Sequence, residues 1–346
     1  MQNPLFKRQL ALPNFNSTHL QSLFDSSIAI IGCGGLGCIA SLYLCNSGIG
    51  NIILIDGDKI DKTNLHRQIS YTLDDIDKYK ADTLKLKCTI TNKNIKITSH
   101  NFYMNESNIN ILKDSDIILD CSDNPSTRTL LNNYCKKYKK PLIFGSAISY
   151  DGQLCVFDFR KYNTCLYCMF PNIDDITDSC QTNGVLGPVP GIIGTLQAIE
   201  CIKLITRIGD PLKGLLHFSS LDMSFNIFEH EDKDCTHDIQ NSNNIFEIEY
   251  KDYLNNTKLY SLYDISKQYN DLDDEISIMG SIKIYNYSID TIIKDPESFL
   301  NMIHKEGNLL FICDKGIDSL ELVKMLRERY NIMNCWSIKN GIRGIF

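Results

Sequence analysis

The chain has no excess of positive charge: 35 Lys and Arg stand against 42 Asp and Glu, a formal net charge of −7 over 346 residues. That balance argues against nucleic acid and anionic membranes as partners, since either needs a basic face. No secretory leader is expected either. The only candidate region, residues 1–12, carries Lys7 and Arg8 and has no adequate apolar core. Nor is there a clean membrane span. Residues 26–55 hold no charge, but glycines, Asn46 and Ser47 interrupt them; residues 185–205 contain two prolines, three glycines, Glu200 and Lys203. The expected location is therefore cytoplasmic. There the 14 cysteines are reduced thiols, used for metal or catalysis where they are used at all. Cys38, Cys45, Cys88 and Cys201 lie on apolar faces and read as core.

What is present is an ordinary globular composition, 43% apolar and 22% charged, long enough for two or three domains and without an internal repeat. Its most informative stretch runs from Ile28 to Gln68. An apolar strand, Ile28–Ile31, feeds the loop Gly32-Cys33-Gly34-Gly35-Leu36-Gly37, and a second strand, Asn51–Ile55, ends at Asp56-Gly57-Asp58. The G-x-G-x-x-G spacing lets backbone N–H groups approach a phosphate at a helix N-terminus, and Asp56 is placed to accept from a ribose hydroxyl. Taken alone the loop suits NAD. Asn64, Arg67 and Gln68 just beyond it surround the phosphates with polar and charged groups that hydride transfer does not need.

Residues 1–26 read as a short helical arm. Strands and helices then alternate to about residue 150, with a helix near Tyr79–Thr91, strands Ile95–Ser99 and Ile117–Asp120, a helix near Pro125–Lys137 and a strand Pro141–Ser146. This predicts an α/β, Rossmann-like doubly wound sheet, with antiparallel strands appended from Gln153–Phe159 and Leu215–Phe228. Residues 163–190 between them are too long for an ordinary connection and form a candidate functional loop. After a polar linker a second α/β pattern begins, including a strand Leu309–Cys313 and a helix Ser319–Tyr330. The expected division is domain 1–238, linker 239–247 and domain 248–346.

The first two-thirds of the chain resembles the ubiquitin-activating-enzyme-like adenylyltransferases, the ThiF/MoeB/HesA superfamily. The matching residues are Arg8-Gln9, Gly32 to Gly37, Asp56-x-Asp58, Asn64-Leu65-x-Arg67-Gln68, Lys80-Ala81, Asp120-Cys121-Ser122-Asp123-Asn124 with Arg128, and Gly184 to Gly191. The resemblance implies an ATP site. Asp56 would bind ribose, while Gly32, Gly34, Gly35 and Gly37 would admit the phosphates. Asn64, Arg67 and Lys80 would neutralise the triphosphate, with Gln68 and Asn124 beside them, and Asp123 would hold Mg²⁺. In the family the residue matching Arg8 reaches into the partner subunit's site, which implies a homodimer.

Cys165-x-x-Cys168 is a metal half-site, although at about 4% cysteine chance supplies roughly half of one such motif in a chain this long. The family places a second C-x-x-C after the adenylation domain. Here that position reads Cys235-Thr236-His237-Asp238, so the fourth zinc ligand is His237 or Asp238, with loss of the metal as the competing reading. Cys180, in the irregular loop, matches the cysteine that bonds the partner's C-terminus in the sulfur-transferring branch. Residues 248–346 resemble, more distantly, a rhodanese-like domain, with Cys313 delivered into a loop capped by the following helix. Asp314 stands where that family often carries Arg, and the closing helix is short or missing.

Together the resemblances imply ATP-dependent activation of a ubiquitin-like sulfur carrier's C-terminal glycine, then sulfur transfer from Cys313 loaded by a cysteine desulfurase. The implied destination is 2-thiolation of wobble uridine in tRNA, and in many eukaryotes also molybdopterin synthase. Two rivals stand against this. One is conjugation without sulfur transfer, the C-terminal domain serving only for docking; the other is an NAD-dependent dehydrogenase.

Overall fold

The computed structural model describes residues 4–170, 184–229, 235, 237, 247–248, 250, 253, 260–265, 282–283, 289–303, 308–313, 315–330, 332 and 335–342. The chain divides into two compact units, Met1–Ile239 and Gln240–Phe346.

In the first unit an eight-stranded sheet has the order β3-β2-β1-β4-β5-β6-β7-β8. The strands are β1 (Ser27–Ile31), β2 (Asn51–Ile55), β3 (Lys96–His100), β4 (Ile117–Asp120), β5 (Pro141–Ile148), β6 (Asp151–Asp158), β7 (Leu215–Ser219) and β8 (Ser224–Phe228). The first five run parallel, and β6 to β8 extend the sheet antiparallel. Alternation along the strands sorts the apolar residues into two layers. Ile28, Ile30, Ile52 and Leu54 face α1 (Ser17–Phe24), α2 (Gly35–Ser47) and α3 (Lys80–Thr91), while Ala29, Ile31, Ile53 and Ile55 face α4 (Pro125–Tyr138) and α5 (Leu166–Met169). Both faces are covered, so β1, β2 and β4 carry near-continuous apolar runs. The sheet is mostly parallel and doubly wound, as the strand–helix alternation predicts.

Helix α6 (Pro188–Thr206) packs against α2, β5 and β6. Among the described residues it alone has the length and apolarity to cross a membrane, and 56% of that window is buried inside the fold. Gln197 and Glu200 are among its buried residues.

The second unit holds a parallel five-stranded sheet of order β11-β10-β12-β13-β9. Its strands are β9 (Glu247–Ile248), β10 (Tyr260–Asp264), β11 (Ile282–Lys283), β12 (Asn308–Ile312) and β13 (Cys335–Ile338). Helices α7 (Ile289–Lys294), α8 (Pro296–Met302) and α9 (Ile317–Tyr330) contribute Ile292, Phe299 and Leu322 to one core beside Phe311 and Cys313. Glu247, the last residue of the expected linker, pairs with Ser337 in this sheet.

Candidate functional site

Strand β1 lies between β2 and β4, so the chain winds outward on one side and then on the other. The carboxyl ends of β1 and β4 thus flank a topological switch point, where open α/β sheets bind ligands. The glycine turn occupies this point. Gly32 has φ +93°, and a Cβ there would stand 2.5 Å from the Cys121 carbonyl oxygen; one at Gly37 would collide with the Gly32 carbonyl. Gly34 caps α2, which begins at Gly35, so the helix N-terminus opens onto the crevice.

Asp56 follows β2 and braces the turn. Its Oδ2 accepts from the Cys33 N–H at 2.7 Å, and its Oδ1 from the Asp58 N–H at 2.7 Å. Burial pushes the Asp56 carboxyl up, and Lys80 pulls it back. Lys80, itself 5% exposed, donates to Asp58 Oδ2 at 2.9 Å. Burial alone would lower its ammonium, but Asp56 and Asp58, with a further contribution from Asp123, raise it. Lys80 is therefore a buried cation held charged by a carboxylate cluster.

Asn64 ends a 3-10 turn, Lys62–Asn64, and its Oδ1 accepts from Arg67 Nη2 at 2.7 Å. Gln68 is buried, and its Oε1 has no hydrogen-bond partner among the described residues. The segment from Gly184 packs here: Gly187 abuts the His66 carbonyl, and Pro190 abuts Gly35. Across the crevice Asp123 is exposed after β4. Asn124 instead caps α4, its Oδ1 accepting from the Ser126 and Thr127 N–H groups at 2.8 and 3.2 Å. Arg8 is exposed near the N-terminus, after the 3-10 turn Pro4–Phe6. Cys180 lies outside the described residues.

A second constellation gathers Cys165, Cys168, Cys235 and His237, whose ligand atoms all lie within 4.8 Å of one another. Cys165 Sγ is 3.8 Å from Cys168 Sγ and 3.4 Å from Cys235 Sγ. The Nδ1 of His237 is 3.4 Å from the sulfurs of Cys168 and Cys235 and 3.8 Å from that of Cys165. A tetrahedron with Zn–S bonds of about 2.3 Å has edges of roughly 3.8 Å, so the donor set fits zinc in both chemistry and size. Burial pushes Cys165 up to about 12. Burial would also raise Cys235, but the Lys136 ammonium, Cys165 and the His237 N–H bring it down to about 6. Asp238, the alternative ligand, lies outside the described residues.

In the second unit β12 ends one residue before Cys313, which is 2% exposed. Its sulfur accepts from the Ser319 N–H, in the first turn of α9, at 3.3 Å, and lies 3.3 Å from the Ser319 hydroxyl. Burial outweighs these donors and raises the thiol. Asp314 lies outside the described residues.

The sequence profile described as "ThiF family" matches residues 6–237, two-thirds of the chain and all of the glycine-turn crevice and thiol cluster. The chain belongs to the ThiF family. It is similar to the adenylyltransferase and sulfurtransferase MOCS3 of Drosophila virilis, at 40% identity over 212 residues, covering 60% of this chain and 47% of that protein. The MOCS3 protein of Caenorhabditis briggsae is 36% identical over 214 residues, covering 61% and 53%. The chain thus spans about half the length of the curated relatives it matches. Among solved structures, Escherichia coli MccB with ATP aligns with a TM-score of 0.56 and 26% identity, over 62% of this chain and 67% of that one. MccB with AMPCPP and MccA gives a TM-score of 0.60 and 25% identity, covering 67% and 73%.

Several residues that build this ThiF-family crevice escape a reading of sequence. The Tyr71 hydroxyl donates to the Cys33 carbonyl at 2.8 Å and joins the glycine turn to the start of α3. The Tyr103 hydroxyl donates to Asp58. Gln197 on α6 donates to the carbonyls of Asp120 and Ile143 at 2.8 and 3.1 Å, tying the end of β4 to the body of β5. Lys136 on α4 reaches the thiol cluster. None belongs to a local motif.

Proposed function

We propose that this chain uses ATP to adenylate the C-terminal glycine of a ubiquitin-like sulfur-carrier protein and then delivers sulfur to it as a thiocarboxylate. One observation carries the reading: the buried, charged Lys80 beside Asp56 and Asp58 at the glycine turn. Hydride transfer has no use for such a cation, whereas attack on an α-phosphate develops negative charge that it can stabilise. The relatives' name, adenylyltransferase and sulfurtransferase, and the ATP in the MccB structure support the same reading.

In this mechanism Asp56 orients the ribose, and the N–H groups of the glycine turn face the phosphates. The carrier's carboxylate oxygen bonds the α-phosphorus as the bond to the departing pyrophosphate breaks. Lys80, Arg67 and Asn64 hold the charge that moves onto the leaving group. Asp123 would hold Mg²⁺, which when bound neutralises the triphosphate. Cys165, Cys168, Cys235 and His237 would hold a structural zinc. Cys180 then captures the acyl group as AMP leaves, or assists its transfer. The outer sulfur of a persulfide on Cys313, loaded by a cysteine desulfurase, bonds the acyl carbon as the group it carries departs, and a thiol reductant cleaves the remaining S–S bond to Cys313 to release the thiocarboxylate. The product would serve 2-thiolation of wobble uridine in tRNA, with molybdopterin synthase as a second destination. The enzyme would be a cytoplasmic homodimer, Arg8 reaching the partner's site.

The burial of Cys313 favours a second reading, in which the C-terminal unit is a docking module and no rhodanese-like chemistry occurs there. Mass spectrometry of the carrier's C-terminus after incubation with ATP, a cysteine desulfurase and cysteine separates the two. Sulfur transfer predicts thiocarboxylate with the wild type and a loss of at least about tenfold in Cys313→Ala. An unchanged yield in that variant assigns the C-terminal unit to docking.

A further inference from the structure

The thiol cluster has a neighbour that its ligand count does not include. Lys136, in the last turn of α4, places Nζ 3.1 Å from the Cys235 sulfur and 2.7 Å from the His237 carbonyl oxygen. It is 99 and 101 residues distant from these partners in sequence and half-buried beside them. The exposed cation next to it, Lys137, instead lies 5.4 Å over the Tyr138 ring. Helix α4 also supports the other half of the cluster, because Asn132 Oδ1 accepts from the Leu166 N–H at 2.9 Å at the start of α5.

Charge explains why a lysine belongs at this place. Three thiolates and a neutral imidazole around a divalent zinc leave the centre with one surplus negative charge. An ammonium on a thiolate sulfur cancels it through a charge-assisted N–H···S contact in partly shielded surroundings. We propose that Lys136 is the charge-compensating positioning residue of a Cys₃His zinc centre. It neutralises the Cys235 thiolate and, through the His237 carbonyl, sets the segment that carries two of the four ligands.

This role presupposes metal at the cluster, so the test must separate the two claims. Full-length wild type, Lys136→Met, Lys136→Gln, Lys136→Arg and Lys137→Met would be compared. Three measurements serve: zinc content, zinc affinity by competition with a chromophoric chelator, and the thiolate-to-metal charge-transfer band after cobalt substitution. Wild type should carry one zinc per chain. Lys136→Met should bind zinc 10- to 100-fold more weakly. Its cobalt band should move to longer wavelength, because an uncompensated thiolate gives up electrons more easily. Lys136→Arg should restore most of both, and Lys137→Met, which shares only the position at the helix end, should match wild type.

Lys136→Gln keeps a donor for the His237 carbonyl without the charge, so its band decides the matter if the Met variant fails to fold. A band and affinity unchanged in a folded Met or Gln variant would overturn the role of Lys136 while leaving the zinc site intact. A wild type that binds neither zinc nor cobalt would overturn the metal centre itself.

Discussion

Lys80 is placed where burial and charge oppose each other, and charge wins. Its folded pKa is raised, so the stability it contributes is complete below the unfolded lysine value and lost only as pH rises through the higher folded one. Lys80→Met should reduce carrier-dependent pyrophosphate exchange by at least about 100-fold. Removing the cation also leaves Asp56 and Asp58 uncompensated, which should cost about 3 kcal/mol or more. Exchange within tenfold of wild type would contradict its role. Asp75 is the opposite case. Its carboxylate meets Lys87 at 2.8 Å and Lys78 at 3.3 Å, and accepts from the Thr72 N–H at 3.0 Å. Lys87 foremost holds it well below the usual carboxylate range. A depressed acid stabilises the fold above its unfolded pKa and loses that contribution as pH falls through the folded value. Asp75→Asn should therefore cost about 1–3 kcal/mol at neutral pH, with the gap to wild type closing below about pH 4. Denaturant melts at both pH values check this, and equal stabilities at neutral pH would refute it.

At the level of elements, the glycine turn separates folding from binding. A Cβ at Gly37 would strike the Gly32 carbonyl, so Gly37→Ala should lose about 3 kcal/mol or more. A Cβ at Gly34 would meet only the Gln68 Nε2, at 3.6 Å. Gly34→Ala should melt within a few degrees of wild type yet bind ATP at least about tenfold more weakly, since a methyl group would stand where phosphate approaches. Calorimetry of both variants tests the contrast. Strands such as Asn51–Ile55 and Ile117–Asp120 were legible in sequence to the residue, because a short apolar run there meets Asp or Gly at its ends. Elements such as α5, β9 and α7 were not, being two to six residues long and therefore too short to show a period. The site divides similarly. Asp56, Arg67 and Lys80 sit in ordered motifs, whereas Tyr71 meets Cys33 across 38 residues and Gln197 meets Asp120 across 77, distances over which no local pattern extends.

For the whole molecule, each of the two compact units has its own sheet and its own buried core. A fragment of residues 1–239 should thus fold cooperatively, bind ATP and support pyrophosphate exchange, but yield no thiocarboxylate. A fragment that unfolds or fails to bind ATP would contradict this division of labour. The central claim, that the crevice activates a protein's C-terminal carboxylate with ATP, is tested most directly by exchange of labelled pyrophosphate into ATP on the full-length chain. With Mg²⁺ and a ubiquitin-like sulfur carrier ending in a free glycine carboxylate, label should enter ATP. It should not enter when the carrier is omitted or its terminal carboxylate is amidated. No exchange with any such carrier, together with binding of NAD in preference to ATP, would contradict the account.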